Sequence, residues 1–377
     1  MTFAAVAVKP LDHWYAARDR LVGSATFRRW AAAFPFTRGI AQRRARAVFD
    51  LCAGFVYSQV LLACVKLKLF DMLAERPQTV PVLARRLKLS EPATARLLAA
   101  AVSLRLVDQR SGERFGLGEL GAAIAGNAAI VAMVEHHALL YADLHDPVAL
   151  LQGESKHTEL ARYWPYAGTT RPGALASDNV AAYSSLMSTS QSLIAGEVTA
   201  AYDFGRHRCL LDVGGGEGVF LAAVAAKYPG LPLMLFDLPP VADLARQRFA
   251  AEGITGRSTA VGGDFLVDRL PKGADVASLV RVIHDHDDEG ALTLLRAVYQ
   301  ALPADGTLVL AEPMAGTPGA EPMGDAYFGF YLLAMGRGRA RSPAELGILL
   351  RSAGFARIRQ VPTRIPLQTG LVVARKS

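Results

Sequence analysis

The stretch Asp212-Val-Gly-Gly-Gly-Glu-Gly218 sets a carboxylate two residues ahead of glycines at 214, 215, 216 and 218. Further along, LFDLPPV carries Asp237, VGGDF carries Asp264 and Phe265, and VRVIHDHDDE carries Arg281 and His284. A hydrophobic run ending in an acid and glycines delivers a strand to a ligand, because glycine turns at positive φ and lets backbone approach closely. A triphosphate loop would need GxxxxGK and then Ser or Thr, which do not follow here. A dinucleotide fingerprint, GxGxxG, fails at its third glycine, where Val219 stands. The adjacent carboxylate would also repel a pyrophosphate.

A ligand without phosphate and with a cationic centre fits these groups, and S-adenosylmethionine has a sulfonium, an amino-acid head and an adenosine. Asp212 and Gly214, Gly216 and Gly218 would hold it. Asp237, ending the next strand, would accept both ribose hydroxyls. Asp264, ending the strand after that, would take the adenine amino group, with Phe265 stacking on the base and Arg281 completing the set. His284 is the candidate general base, since imidazole accepts a proton near neutrality. Glu312 in LVLAEPM would bond its other nitrogen and fix tautomer and ring direction. The two His and four acids of residues 284–289 also invite a metal reading. Residues alternating along a strand need not converge, however, and Asp287, Asp288 and Glu289 suit a helix cap and first turn. No metal is expected.

These groups need a frame. Strands are expected at 209–213, 232–237, 258–262, 275–283 and 306–312, with helices at 217–227, 240–252, 289–302 and 342–353. Two last strands, 356–362 and 366–375, have no helix between them and form an antiparallel edge pair. The result is a mostly parallel, Rossmann-like α/β sheet that binds its ligand at the strands' carboxyl ends. Before it, Val80–Val107 reads as helix, turn, helix, with Ser90 as N-cap, and a hairpin around Ser111-Gly112 follows. That is a helical winged-helix module. Its second helix has one cation, Arg96, where a DNA-reading helix needs several polar or basic groups. It is expected to be buried, with no nucleic-acid partner.

The 377 residues are 51% hydrophobic and suffice for more than one domain. The expected division is a basic, aromatic extension over 1–48, the winged-helix dimerisation domain over 49–125 and the catalytic domain over 126–377. Cys52, Cys64 and Cys209 form no CxxC and read as buried thiols in a reduced, cytoplasmic compartment. Leu51–Val65 is uncharged but short of the roughly 18–20 residues a bilayer span needs, and is expected as a buried core helix. The net charge is +7, and residues 1–49 alone hold nine Lys or Arg against Asp12 and Asp19. Interleaved with Trp14, Tyr15, Phe27, Trp30, Phe34 and Phe36, these cations suit a segment lying on an anionic membrane surface, or a helix docked on protein.

DVGGGEG, FDLPPV, GGDF, VRVIHDHDDE, LAEP and RSPAELGILLRSAGF resemble the successive motifs of class I, plant-type small-molecule O-methyltransferases over residues 50–377. The arginine-rich leader and FDLCAGFVYSQVLLACVKLKLF are most similar to the bacterial hydroxyneurosporene (demethylspheroidene) O-methyltransferases of carotenoid synthesis. The resemblance implies a homodimer that uses S-adenosylmethionine without metal, with His284 as base, peripheral on the photosynthetic inner membrane. Its acceptor would be an apolar hydroxylated polyene in a channel lined by Tyr183, Met187, Met314, Phe328, Tyr331, Leu332 and Met335. Related plant enzymes place a second acid where this chain has Ala340, which leaves Glu312 alone to orient the base. Methylation of a phenolic or polyketide metabolite remains open. So does a winged-helix regulator that senses the cofactor, although His284, Glu312 and the non-basic helix weigh against it.

Overall fold

The computed structural model describes residues 10–155, 157–163 and 177–377; within the last span, the side chains of 177–187 and 189 are left aside. The chain divides into two compact units, one ending at Ala125 and one beginning at Gly126.

The first unit opens with α1 (Pro10–Gly23), α2 (Ala25–Ala33) and α3 (Pro35–Lys66). Ser24 caps α2, accepting from the Phe27 amide, and Pro35 starts α3 where no amide donor is needed. Then come α4 (Leu69–Glu75), β1 (Gln78–Thr79), α5 (Val80–Leu87), α6 (Glu91–Ser103), β2 (Val107–Arg110), β3 (Arg114–Leu117) and α7 (Glu119–Ile124). Ser90 caps α6 through the Ala93 amide. The hairpin turns at Gly112, φ +67°, and β1 adds to it antiparallel, in the order β1-β3-β2. The module is therefore a winged helix with a small sheet, closed over Leu69, Phe70, Leu83, Leu98 and Val107.

Three expectations about burial fail. Leu51–Val65 is not a buried core helix within this chain: on α3 only Leu62, Cys64 and Val65 are buried, and Leu51 is 84% exposed. The apolar run thus leaves a long uncovered face. α6 is buried on one side only, through Thr94, Leu98 and Ala101; its other side shows Ala93, Ala95 and Ala99 around Arg96. The expected burial of this helix therefore holds on one face only. Among the thiols, Cys64 is buried, Cys209 intermediate and Cys52 exposed, because Cys52 lies on the open part of α3.

The second unit begins with α8 (Ala128–Asp143), α9 (Pro147–Leu151), α10 (Glu159–Tyr163) and α11 (Ser177–Ala201). The α/β part follows: β4 (Leu210–Val213), α12 (Val219–Lys227), β5 (Leu233–Asp237), α13 (Pro239–Ala251), β6 (Ser258–Gly262), β7 (Val276–Val280), α14 (Asp288–Ala301), β8 (Thr307–Glu312), α15 (Phe328–Met335), α16 (Pro343–Ser352), β9 (Phe355–Val361) and β10 (Gly370–Lys376). Among the described residues the sheet runs β6-β5-β4-β7-β8-β10-β9. β4 to β8 are parallel neighbours, and β10 is antiparallel to both β8 and β9. Alternate residues feed opposite cores. Val309 and Ala311 pack with Phe220, Leu221 and Phe249, while Leu308 and Leu310 pack with Leu294, Leu295 and Leu350. Burial on both faces explains why these strands read as continuous apolar runs.

The expected strand at 275–283 is shorter, ending at Val280. Arg281 leaves it with φ +60°, and Ile283–Asp285 forms a 3₁₀ turn. His284 therefore sits in a turn and not on a strand.

Asp275 fastens the opposite end of the sheet. Its Oδ1 accepts from the amides of Arg208 (2.8 Å) and Cys209 (2.9 Å), and its Oδ2 lies 3.1 Å from His207 Nδ1. Asp275→Ala strips these donors of their acceptor and is expected to lower unfolding free energy by about 1–3 kcal/mol, read from a urea transition with unchanged slope.

Candidate active site

The carboxyl ends of β4, β5, β7 and β8 carry the groups singled out above. The chain leaves β4 through Gly214 (φ +69°), Gly216 (φ +58°) and Gly218 (φ +80°), a run of left-handed conformations that side chains disfavour. Gly215 is required for space instead: a Cβ there would lie 2.6 Å from Asp212 Oδ2 and 2.8 Å from Leu235 Cδ1. At Gly216 a Cβ would meet nothing within 4 Å, so this residue forms the open lip of the turn.

The three acids do not share one position. Asp237 ends β5, its Oδ2 accepting from the Gly216 amide (2.7 Å) and its Oδ1 from the Leu238 amide (2.7 Å). Burial pushes it up to about 6 against those two donors. Asp212 lies under the glycine turn: it is 1% exposed, and Oδ1 accepts from Ser278 Oγ at 2.6 Å. Its pKa is pushed up to about 7 by burial, and Oδ2 has no partner. Asp264 lies two residues beyond β6 and not at its tip; its Oδ1 accepts from the Leu266 amide at 2.9 Å, shaping the following turn. Phe265 beside it meets His286 edge to face, ring centroids 5.4 Å apart.

Past β7, the Glu312 carboxylate at the end of β8 gathers the turn that bears His284. Oε1 accepts from the amides of Val282 (2.9 Å) and Ile283 (2.8 Å), and Oε2 stands 2.5 Å from His284 Nδ1. Both residues are buried. With Nδ1–H donated to Glu312, Nε2 is left to accept a proton. Asp285 Oδ1 lies 3.1 Å from that Nε2 but has no hydrogen bond. Burial alone would lower the His284 pKa; the charges of Asp285 and Glu312 and the Glu312 hydrogen bond outweigh it and raise it. Asp285 itself is pushed up to about 6, chiefly by burial. Arg281 donates from Nη1 to Ser190 Oγ of α11 at 2.7 Å. Asp287 caps α14, accepting from the Gly290 amide, with Asp288 and Glu289 in its first turn. Among the described residues no cluster of three or more His, Cys, Asp or Glu side chains is arranged to hold a metal.

The apolar stripe expected to line a channel divides. Phe328 stands against His284 edge to face, ring centroids 5.8 Å apart. Met314 is fully buried beneath β10, so close that a Cβ on Gly370 would meet its sulfur at 2.6 Å. Leu332 and Met335 are 1% and 2% exposed, packed with Leu140, Leu150 and Leu160 of α8–α10. Leu332 and Met335 are core, as helical apolar periodicity most often is, and Met314, in the loop after β8, is buried with the sheet. Tyr331 is buried too, its phenol 2.7 Å from His136 Nε2, and Tyr327 pairs in the same way with His137 at 2.8 Å. Neither histidine stood out in the sequence; the α8 pattern hides them among apolar neighbours. The side chains of Tyr183 and Met187 lie outside the described residues.

Residues 141–356 match the O-methyltransferase domain family, and residues 49–125 match the O-methyltransferase dimerisation domain. Demethylspheroidene O-methyltransferase of Cereibacter sphaeroides is 45% identical over 359 residues, 94% of this chain and 93% of that protein. The enzyme of the same name from Rhodobacter capsulatus is 41% identical, covering 91% of this chain and 85% of its own. Human N-acetylserotonin methyltransferase, solved in complex with SAM, superposes with a TM-score of 0.71 at 25% identity, over 89% of this chain and 98% of that one. The chain belongs to the O-methyltransferase family. It is an S-adenosylmethionine-dependent O-methyltransferase that carries the family's dimerisation domain.

Replacing Glu312 with Gln removes a charge that raises the His284 pKa while leaving a hydrogen-bonding group in place. The imidazole of Glu312→Gln should therefore titrate at lower pH than in the parent, measured by NMR of the ring protons. An unchanged or higher midpoint would contradict the geometry.

Proposed function

We propose that this enzyme methylates the tertiary hydroxyl of a 1-hydroxycarotenoid of the demethylspheroidene or hydroxyneurosporene type, with His284 as general base. The observation that carries the chemistry is the buried imidazole fixed by Glu312 at Nδ1, 2.5 Å away, which commits Nε2 to the acceptor's proton. The acceptor class rests on the similarity, over nearly the whole chain, to two proteins named for demethylspheroidene.

The glycine turn fits the co-substrate. Gly214, Gly216 and Gly218 let the backbone approach it, and Asp237 accepts from the ribose hydroxyls with lone pairs not used on Gly216 and Leu238. Asp264 and Phe265 take the adenine. Asp212 acts from beneath, holding the turn's shape. S-adenosylmethionine, when bound, supplies a methyl on a sulfonium, already a good electrophile. The chain's task is to hold the acceptor oxygen in line with it, and such positioning is worth about 7–11 kcal/mol. A tertiary alcohol is a far weaker acid than imidazolium, so its proton passes to Nε2 late, as the carbon–oxygen bond forms. Phe328 and the parts of α8 and α15 around it provide an apolar wall for the polyene's hydroxylated end.

A polyene resides in a bilayer, and the reading places the enzyme on the cytoplasmic face of that membrane. Trp14, Trp30, Phe34 and Phe36 on α1–α3 are exposed, Phe36 at 87%, among the cations of residues 1–49. The run Leu51–Val65 alone is short of a span, but α3 as a whole, 32 residues, is by length and composition long and apolar enough to cross a membrane, with 11% of its most apolar window buried. Its basic first half suits an interfacial position on anionic lipid.

Two experiments test this. With labelled co-substrate and a panel of 1-hydroxycarotenoids and phenols, the carotenoids should be methylated and the phenols not. His284→Ala should lose at least ~100-fold in turnover while binding S-adenosylmethionine as before, and a variant that kept most of its rate would remove the base assignment. Separately, changing Arg28, Arg29, Arg43 and Arg44 to Glu in the full chain should abolish cosedimentation with phosphatidylglycerol vesicles. Unchanged partitioning would remove the membrane proposal.

A further inference from the structure

The histidine turn is held from a second side, by the segment between α15 and α16. Gly338 (φ +81°) lies so close to it that a Cβ would stand 2.1 Å from the His284 carbonyl oxygen. The Arg339 amide donates to that same carbonyl at 2.9 Å. Arg341 then reaches across with its whole guanidinium. Nη1 donates to the Ile283 carbonyl (2.9 Å), Nη2 to the His286 carbonyl (2.8 Å) and Nε to Asp288 Oδ1 (2.9 Å). The carbonyls of Ile283, His284 and His286 are thus all taken by one strap. The strap in turn is fixed to the sheet: Arg341 bridges to Met314 just beyond β8, and the Arg341 carbonyl accepts from the Ala315 amide at 3.1 Å.

Arg341 is 2% exposed. Burying a guanidinium is costly unless its donors are used, and here the donors named above go to the turn bearing His284 and to the helix that follows it. Lysine could not replace it, because one ammonium does not span two carbonyls and a carboxylate in a plane. We infer that Arg341 is a positioning residue for the methyl-transfer base: it fixes His284 through the backbone, opposite to Glu312, which fixes it through the ring. This is the segment in which Ala340 stands where related plant enzymes carry a second acid. The turn is therefore braced by a cation on its carbonyls as well as by an acid on its amides and ring.

The inference rests on His284 as the base, and the two can fail separately: His284→Ala tests the base, Arg341→Lys the brace. The assay follows methyl transfer by the full-length enzyme, with kcat expressed per S-adenosylmethionine-binding site, which counts only folded chains. Arg341→Lys should lower that kcat by about 10–100-fold, the scale expected of a misplacement near 1 Å, with co-substrate Kd within twofold of the parent. Asp288→Asn, which alters the half-exposed outer end of the guanidinium's contacts and the strap's Arg339 Nη2 contact to the same carboxylate, should lower it several-fold. It carries the test alone if the lysine variant does not fold. A kcat per binding site within twofold of the parent in the variant tested would overturn the inference, since a merely structural arginine changes the number of folded chains and not the rate of each.

Discussion

One buried carboxylate, Glu312, organises the reactive end of this enzyme. It sits at the tip of β8, 2% exposed, and spends its oxygens on the Val282 and Ile283 amides and on the His284 ring. A buried charge is tolerated only when its lone pairs are filled, and the positive φ at Arg281 bends the chain so that consecutive amides fill them. Removing one partner of such a pair typically costs about 3–5 kcal/mol. The tautomer of His284 and the path of the backbone that bears it are thus one arrangement.

Around that centre the polar groups are sorted by burial. Asp212 is a buttress: with Oδ2 beneath Gly215 and Oδ1 on Ser278, it supports the turn from inside the sheet. Asp285 is a different case, a carboxylate 3.1 Å from His284 Nε2 whose charge raises the imidazole's pKa. The paired His136–Tyr331 and His137–Tyr327 contacts lie among apolar residues of α8 and α15. Burial lowers both imidazoles, His136 to about 4, so they serve as neutral hydrogen-bonding partners.

The first unit illustrates how the same composition can serve different surfaces. The exposed part of α6 in its winged helix is lined by alanines around Arg96. Residues 49–125 are the dimerisation domain of the family. The apolar, uncharged exposure of Leu51 and Phe55 falls within that domain, whereas the cations and most of the exposed aromatics fall before it. Two chemically distinct surfaces therefore follow one another along α3.

Much of this was legible in the sequence. Glycine spacing, strand-end acids and the alternation of apolar runs are local properties, and they gave the α/β order, the parallel sheet with its antiparallel edge, the caps at Ser90 and Asp287, and the pairing of His284 with Glu312. Burial and direction are not local. That Asp212 lies under its turn, that Met314, Leu332 and Met335 are core, and that α3 is mostly uncovered depend on what packs against them from distant parts of the chain. Arg341 is the clearest example. In sequence it is one arginine among several, and only the return of its segment to the turn 53 to 58 residues earlier sets its guanidinium on the carbonyls of Ile283 and His286 and on Asp288. Which groups are present, and on which elements, follows from local pattern; which of them are buried, which are open and which hold the others in place follows from packing, because hydrogen bonds and burial are made between elements and not along them.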